Sequence, residues 1–154
     1  MKHTYLFHYI LFFISLSESL LIANLVTAEI SYGELVDKIT ILTIKSQRIT
    51  DQDKLRNVWN ELESLQDTFN NFIGTHEEIQ QLQELLQKIN AALWDIEDAI
   101  RVKECNKEFD NEFIELARSV YITNDKRCAV KKRIDALLGS RITEEKSYAK
   151  LTHE

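Results

Sequence analysis

The chain has 154 residues, which is a usual length for one domain and enough to bury a hydrophobic core. It contains no proline and only three glycines, and this argues against turn-rich all-β folds, which need many of both. The formal net charge is -6, whereas nucleic-acid-binding proteins present a basic surface. We therefore expect no nucleic-acid partner.

The first 28 residues are apolar, with Lys2 and Glu18 as their only charged side chains. Three interpretations stay open. The true start lies near Leu25, because bacterial translation also begins on codons that otherwise encode Leu or Val; this would make the protein cytoplasmic. Alternatively, the segment is a signal peptide cleaved after Ala28, which implies export to the periplasm. A retained anchor is the third, although Glu18 inside a membrane helix costs about 2.5–3.5 kcal/mol.

Two amphipathic helices are predicted next. Ser31 and Glu34 form a capping box that starts a helix running to about Ile49. A polar break over residues 50–53 then caps a second helix, in which apolar residues recur at steps of three and four. Gly74 is the expected left-handed end of that helix.

The longest helix is predicted from a second capping box at Thr75 to about Glu104, a length of about 43 Å. A further amphipathic stretch runs from Phe109 to Gly139, and a break with a new cap at Thr123 or Asn124 would divide it into two helices. We predict one all-α domain over residues 29–154, an antiparallel helical hairpin or bundle of four to five helices with one long central helix.

Few sequence motifs point to catalysis. The chain has no glycine-rich phosphate loop, no nucleophile elbow and no histidine-based metal motif. Cys105 and Cys128 lack metal-ligand spacing and are expected to be free thiols, because about 25 Å of helix separates them. We expect no cofactor and no metal, and we assign no catalytic residue.

A first polar strip lies on the long helix. Apolar residues facing the core leave Trp94, Glu97, Asp98 and Arg101 together on a neighbouring stripe. One interpretation is a flanking tryptophan beside a surface ion pair between Glu97 and Arg101. The other is a shallow ligand site in which Trp94 stacks on a ring and the carboxylates accept hydroxyl hydrogen bonds; Asp95 with Asp98 would equally suit Mg²⁺.

A second polar strip follows on the next helix. Its members are Arg118, Tyr121, Asn124, Asp125 and Arg127. Helical spacing brings Asn124 and Arg127 onto a face that is apolar on both sides, so either the helix breaks here or these polar groups find partners inside the bundle. In the second case the two polar strips meet across the hairpin and form a polar pocket.

The first helix offers a third candidate, formed by Glu34, Asp37, Lys38 and Lys45. Glu34 and Asp37 resemble half of the acidic signature of all-α nucleotide pyrophosphohydrolases, but the companion Glu-x-x-Glu pair is absent. Residues 36–48 also resemble the first helix of helical chorismate mutases. Each likeness covers one helix only.

Three segments in combination carry a wider resemblance: residues 33–42, residues 93–101 and residues 113–127. They resemble an uncharacterised family of bacterial and phage helical domains of unknown function, over roughly residues 29–149. The resemblance implies a cytoplasmic protein, because members begin near the Gly-Glu-Leu motif. It also implies a loose association with glycosyltransferases and surface-polysaccharide synthesis, and it brings no known activity.

Two functions follow as hypotheses. The leading one is a small helical accessory or protein-interaction module, linked to polysaccharide synthesis, which binds a protein partner or self-associates through a hairpin face. The alternative is a ligand-binding domain or enzyme that takes a sugar nucleotide or another phosphorylated ligand on the polar strips. A binding site predicts that Trp94, Asp98, Arg118 and Asn124 converge on a concave surface, whereas a module predicts that they pair with one another.

Overall fold

The computed structural model describes residues 26–74 and 76–147, and within them the chain is all-α. The four helices are α1 (Tyr32–Arg48), α2 (Gln52–Phe72), α3 (Glu77–Asn106) and α4 (Asn111–Leu138). This confirms the predicted fold class. The interpretations of the leader fall largely outside the described residues, and so does Thr75. Helix α3 begins one residue later than predicted, with His76 as its N-cap and no side-chain capping hydrogen bond. No helix in the described part is long and apolar enough to cross a membrane.

The helix ends follow local sequence signals. The hydroxyl of Ser31 accepts a hydrogen bond from the backbone N–H of Glu34 at 3.2 Å. The return half of that capping box is not formed, because the Glu34 carboxylate pairs with Lys131 on α4 instead. Asp51 caps α2 as expected, and Gly74 ends it with a φ of 66°.

Helix α4 is continuous, so the break considered at Thr123 or Asn124 is absent and the described chain has four helices rather than five. The physical reason is a long-range partner: Arg127 donates hydrogen bonds to Asp37 on α1. A polar side chain with a buried partner can stay on a core-facing position without interrupting the helix. Gly139, with a φ of 64°, ends α4 where predicted.

Helix α1 lies at the centre of the bundle. It packs against each of the other three helices, and α3 and α4 pack against each other as an antiparallel hairpin. The apolar core is drawn from all four helices and contains Leu35, Val36, Ile39, Phe69, Ile79, Leu82, Leu86, Val130 and Ile134. The regular spacing of apolar residues therefore identified the packed faces in large part, although Trp59 and Phe72 of the α2 stripe are 54 % and 71 % exposed.

The hairpin extends beyond α1. Helix α1 has 17 residues and α3 has 30, so about 20 Å of the hairpin has no third helix beside it. We call residues 95–122 the arm and the rest of the helical bundle the base. No residue of the arm is buried, whereas every helix of the base contributes buried residues.

Gly33 sets how closely α1 approaches α4. Its backbone N–H donates to Oδ1 of the buried Asp135 at 2.7 Å. A Cβ atom at this position would lie 2.6 Å from the backbone oxygen of Lys131. Only glycine fits, and the contact fixes the register between the two helices that carry Asp37 and Arg127.

Candidate functional site

A cleft of about 460 Å³ lies where the base meets the arm. Helix α1 supplies one wall, and α3 and α4 supply the other two. The lining residues are Ile41, Ile44, Asn90, Leu93, Trp94, Glu97, Asp98, Arg101, Asn124 and Arg127. The two predicted polar strips therefore meet in one concavity, together with an apolar wall from α1 that the sequence analysis did not include.

The floor of the cleft contains a buried ion pair. Asp37 is only 2 % exposed and accepts a hydrogen bond from Nε of Arg127 at 2.8 Å, while Nη2 of the same guanidinium binds the second carboxylate oxygen. This hydrogen bonding to Asp37 outweighs the opposing effect of burial and raises the pKa of Arg127. The two charges neutralise each other, and the bidentate geometry fixes the guanidinium plane.

Asn90 and Thr40 complete this floor. Nδ2 of Asn90 donates both to Oδ1 of Asp37 and to Oγ1 of Thr40, each at 2.9 Å. The Thr40 hydroxyl in turn donates to the backbone oxygen of Asp37 at 2.8 Å. Three helices thus share one polar network, which holds the side chains of Asn90 and Arg127 in place.

Two polar atoms of this network remain available to a ligand. Oδ1 of Asn124 accepts a long hydrogen bond, 3.5 Å, from Nη1 of Arg127. Among the described residues, Nδ2 of Asn124 and Oδ1 of Asn90 make no hydrogen bond within the protein, and both residues line the cleft. The floor therefore offers one amide donor and one amide acceptor.

The arm side of the cleft is more exposed. Arg101 pairs with Glu97 at 3.0 Å and lies 4.0 Å from Asp98. All three side chains are at least half exposed, so water competes for each of these charges. This side of the cleft therefore presents two exposed carboxylates and one exposed guanidinium.

Trp94 of α3 lies next to the C-terminal end of α1. The guanidinium of Arg48 lies 5.7 Å from the centre of its ring, a cation–π distance, and also pairs with Asp95. Asp95 is thus paired with a cation and does not line the cleft, whereas the Mg²⁺ interpretation required Asp95 and Asp98 to face one metal ion. Within the described residues, no group of three or more His, Cys, Asp or Glu side chains is arranged to hold a metal ion.

The structure brings together six of the nine predicted site residues, and three lie elsewhere. Arg118 pairs with Glu115 at 2.7 Å on the exposed surface. Tyr121 is 42 % exposed, and neither it nor Asp125 lines the cleft. Helix geometry explains the difference, because Arg118 and Asp125 lie further round α4 than Asn124 and Arg127.

Asn90 and the role of Asp37 were not predicted from the sequence. Asp37 was considered only in a separate candidate on the first helix, as half of an acidic signature and as part of residues 36–48. Asn90 carried a readable signal: it follows Leu86 by four residues and precedes Leu93 by three, which makes it a polar residue in an apolar stripe. Such a residue needs a buried partner, and Asp37 is that partner.

A second ionic cluster ties the segment after α4 to the base. Lys131 is buried and binds the carboxylates of Glu34 and Glu144, the latter at 2.6 Å. Burial alone lowers the pKa of Lys131, but the hydrogen bonds that it donates to Glu144 and Glu34 together outweigh this effect, and the pKa is raised. The same hydrogen bond from Lys131 lowers the pKa of Glu144. This cluster stabilises the base and does not line the cleft.

Comparison with known proteins gives one match. The model of a family of unknown function, DUF6165, matches residues 26–152, which is most of the chain. No curated protein and no solved structure matches. The match agrees with the resemblance to an uncharacterised domain family and assigns no activity.

Proposed function

This chain belongs to the DUF6165 family of unknown function, and we propose that it is a ligand-binding domain whose cleft takes a small polyhydroxylated ring, such as a sugar. The observation that carries the proposal is the convergence of Trp94, Asp98 and Asn124 on one concave surface. These are three of the four residues whose meeting distinguishes a binding site from a simple interaction module. The geometry thus favours the alternative hypothesis over the leading one.

The chemistry of the lining suits a sugar. An indole ring offers an apolar face for the C–H side of a sugar ring, and carboxylates are strong acceptors for its hydroxyl groups. Glu97 and Asp98 supply such acceptors, and the amide of Asn124 supplies a donor. Ile41 and Ile44 add an apolar wall, as ligand sites commonly have.

The charges favour an uncharged ligand over a phosphate. Arg127 and Arg101 are already paired with Asp37 and Glu97, and Asp98 adds a third carboxylate, so the five side chains sum to a charge of -1. A phosphate would have to displace a carboxylate from one of the two arginines. We therefore place the sugar part of a sugar nucleotide, or a free sugar, in the cleft; either would fit the link to polysaccharide synthesis that the resemblance implies.

Tryptophan fluorescence tests this proposal. The chain has two tryptophans, and Trp59 on α2 is 54 % exposed, so a Trp59→Phe variant leaves Trp94 as the only reporter. This variant is titrated with neutral monosaccharides and disaccharides, with UDP-glucose, with UDP and with inorganic phosphate. We expect a saturable change in Trp94 emission with at least one sugar and no change with UDP or phosphate.

A matched pair of variants locates the binding. In the Trp59→Phe background, Asp98→Asn removes a carboxylate of the cleft, whereas Asp125→Asn removes one on the same hairpin outside it. Loss of a charged hydrogen bond costs about 1.5–3 kcal/mol, so Asp98→Asn should weaken binding by about tenfold or more. Asp125→Asn should bind like its parent. Silence across the whole panel, or binding of UDP alone, contradicts the proposal.

A protein-interaction module remains a second candidate, favoured by a separate observation. Five large apolar side chains of the arm are at least 42 % exposed: Val102, Phe109, Ile114, Tyr121 and Ile122. Scattered exposed apolar residues are ordinary, but Ile114 and Tyr121 share one face of α4 with Ala117, and an apolar row of this kind is typical of a contact surface. Pull-down of a partner by the intact chain, and its loss when these residues are made polar, would test this function.

A further inference from the structure

The groove between α3 and α4 is occupied in the base and open in the arm. In the base, α1 packs against both α3 and α4 and lies over the groove between them. Helix α1 ends at Arg48, beside Trp94 and Asp95, and the hairpin continues for about 20 Å beyond it. The arm therefore carries a continuation of a groove that already holds one helix.

The α4 edge of this open groove is apolar. Asn124 lines the cleft, and Tyr121, Ala117 and Ile114 precede it at steps of three and four along the same face of α4. Tyr121 and Ile114 are 42 % and 45 % exposed. A row at this spacing matches the anchors that a docked amphipathic helix contacts.

The α3 edge of the groove is acidic. Glu97, Asp98 and Arg101 line the cleft, and Glu104 continues their stripe toward the tip of the arm. The single arginine is already paired with Glu97. Over residues 95–122 the sequence has eight acidic and four basic side chains, a net charge of -4 out of -6 for the whole chain.

We propose that the open groove of the arm binds a basic amphipathic α-helix of a partner protein, as a third helix in line with α1. Its apolar side lies on Ile114, Ala117 and Tyr121, and its Lys or Arg residues face the carboxylates of α3. About 20 Å of groove accommodates about 13 residues of helix. A second copy of the chain is disfavoured, because its arm carries the same net charge of -4. This inference rests on the second candidate function and specifies its partner.

The experiment compares three versions of one fluorescein-labelled amphipathic peptide of about 14 residues, with Lys, Gln or Glu on its polar face. Fluorescence anisotropy is measured against the full chain at two salt concentrations. We expect the Lys peptide to bind most tightly, the Gln peptide less tightly and the Glu peptide least. The affinity for the Lys peptide should fall as salt is raised, because salt screens exposed charges.

Substitutions that keep the charge unchanged locate the peptide. Tyr121→Ser and Ile114→Ser remove the apolar edge and should each weaken the Lys peptide by about tenfold, equivalent to about 1.4 kcal/mol of lost apolar contact. Ile122→Ser is the matched control, because Ile122 is equally exposed but lies on another face of α4, and it should change binding by less than about twofold. Circular dichroism shows whether each variant is folded.

The other outcomes overturn the inference in distinguishable ways. If all three peptides bind equally, the partner is not basic. If the Tyr121→Ser variant binds the Lys peptide as tightly as the parent, the peptide does not lie in the groove. Either result overturns the inference but leaves an interaction elsewhere on the arm. Self-association in sedimentation that Ile114→Ser abolishes would assign the groove to a second copy. No binding of any peptide overturns this inference, whereas the interaction candidate is decided by the pull-down. The sugar proposal is judged separately from Trp94 emission; because Glu97 and Asp98 border both sites, a bound helix should compete with a sugar for them.

Discussion

The cleft has one arginine–carboxylate pair in its floor and another on its arm side, and the two pairs differ in burial. In the base, the side chains of Asp37 and Arg127 are 3 % and 28 % exposed. In the arm, those of Glu97 and Arg101 are 50 % and 67 % exposed. The same chemistry therefore stands in two environments: the buried pair fixes the geometry of the cleft, whereas water competes for both members of the exposed pair.

This comparison explains how a small helical bundle can hold a polar site. A buried charge without its partner is costly, so the pair in the base keeps α1 and α4 in one register, and the hydrogen bond from Asn90 adds α3. An exposed pair contributes little to stability, so losing it to a ligand costs little. Rigidity on one side and availability on the other are what a binding cleft requires.

The largest effect is expected from breaking the buried pair. Arg127→Met leaves the Asp37 carboxylate buried without a cation, and such a loss costs about 3–5 kcal/mol of unfolding free energy. Urea denaturation followed by circular dichroism measures it. The double variant Asp37→Leu/Arg127→Met should recover a large part of the loss, because both charges are gone. If the unfolding free energy of Arg127→Met lies within about 1 kcal/mol of the parent's, as is usual for loss of a surface pair, the distinction between the two ion pairs is removed.

The next effect concerns the register that brings the buried pair together. Gly33→Ala places a Cβ against the backbone oxygen of Lys131, and overpacking of this kind costs about 1–3 kcal/mol. Gly139→Ala is a suitable control, because nothing lies within 4 Å of its Cβ and only its positive φ resists the change, by about 1 kcal/mol. If thermal unfolding shows the two variants equally destabilised, close packing at Gly33 is not important.

These base contacts mark the boundary of what the sequence could predict. Apolar spacing located all four helices and both glycine ends, because these signals are local. The pairing of Asp37 with Arg127 joins residues 90 positions apart, and no local pattern reports it. The break considered at Asn124 is absent, and the local pattern could not show that Arg127, on the same face, has a distant partner.

The lining of the cleft was predicted only in part, and the reason why some residues were found and others were not is physical. Trp94, Glu97, Asp98 and Arg101 share a face of one helix, so spacing alone grouped them correctly. On α4 the same reasoning selected residues over too wide an arc, and Arg118, Tyr121 and Asp125 fell outside the cleft. The position at which α1 ends decides which part of a polar stripe lines the cleft. That position depends on how the helices pack, so local sequence does not reveal it.

A smaller, pH-dependent effect is expected from the second ionic cluster of the base. Its hydrogen bond with Lys131 lowers the pKa of Glu144, so this carboxylate contributes stability above its unfolded pKa of about 4.3 and loses it as the pH falls through the lower folded value. The contribution should stay below about 1 kcal/mol, because Glu144 is partly exposed. Glu144→Gln should be less stable than the parent at neutral pH, and the gap should close in acid. A gap independent of pH contradicts this.

The smallest effect is expected in the arm. Arg101→Met removes the exposed pair with Glu97 and should change the unfolding free energy by less than about 0.5 kcal/mol. Chemical denaturation of this variant and of Arg127→Met under the same conditions compares the two ion pairs directly. A loss in the arm as large as the loss in the base would mean that the exposed pair is structural and not available to a ligand.

The most direct test of the cleft as a binding site is a sugar titration followed by proton–nitrogen correlation spectra of the unmodified chain. The indole signal of Trp94 and the side-chain amide signals of Asn90 and Asn124 should shift as sugar is added. All three shifts should saturate with the same dissociation constant. The indole signal of Trp59, exposed on α2, should stay fixed and serves as an internal control. If Trp59 moves while Trp94 and both amides stay still, or if nothing moves with any sugar, the cleft is not the site proposed here.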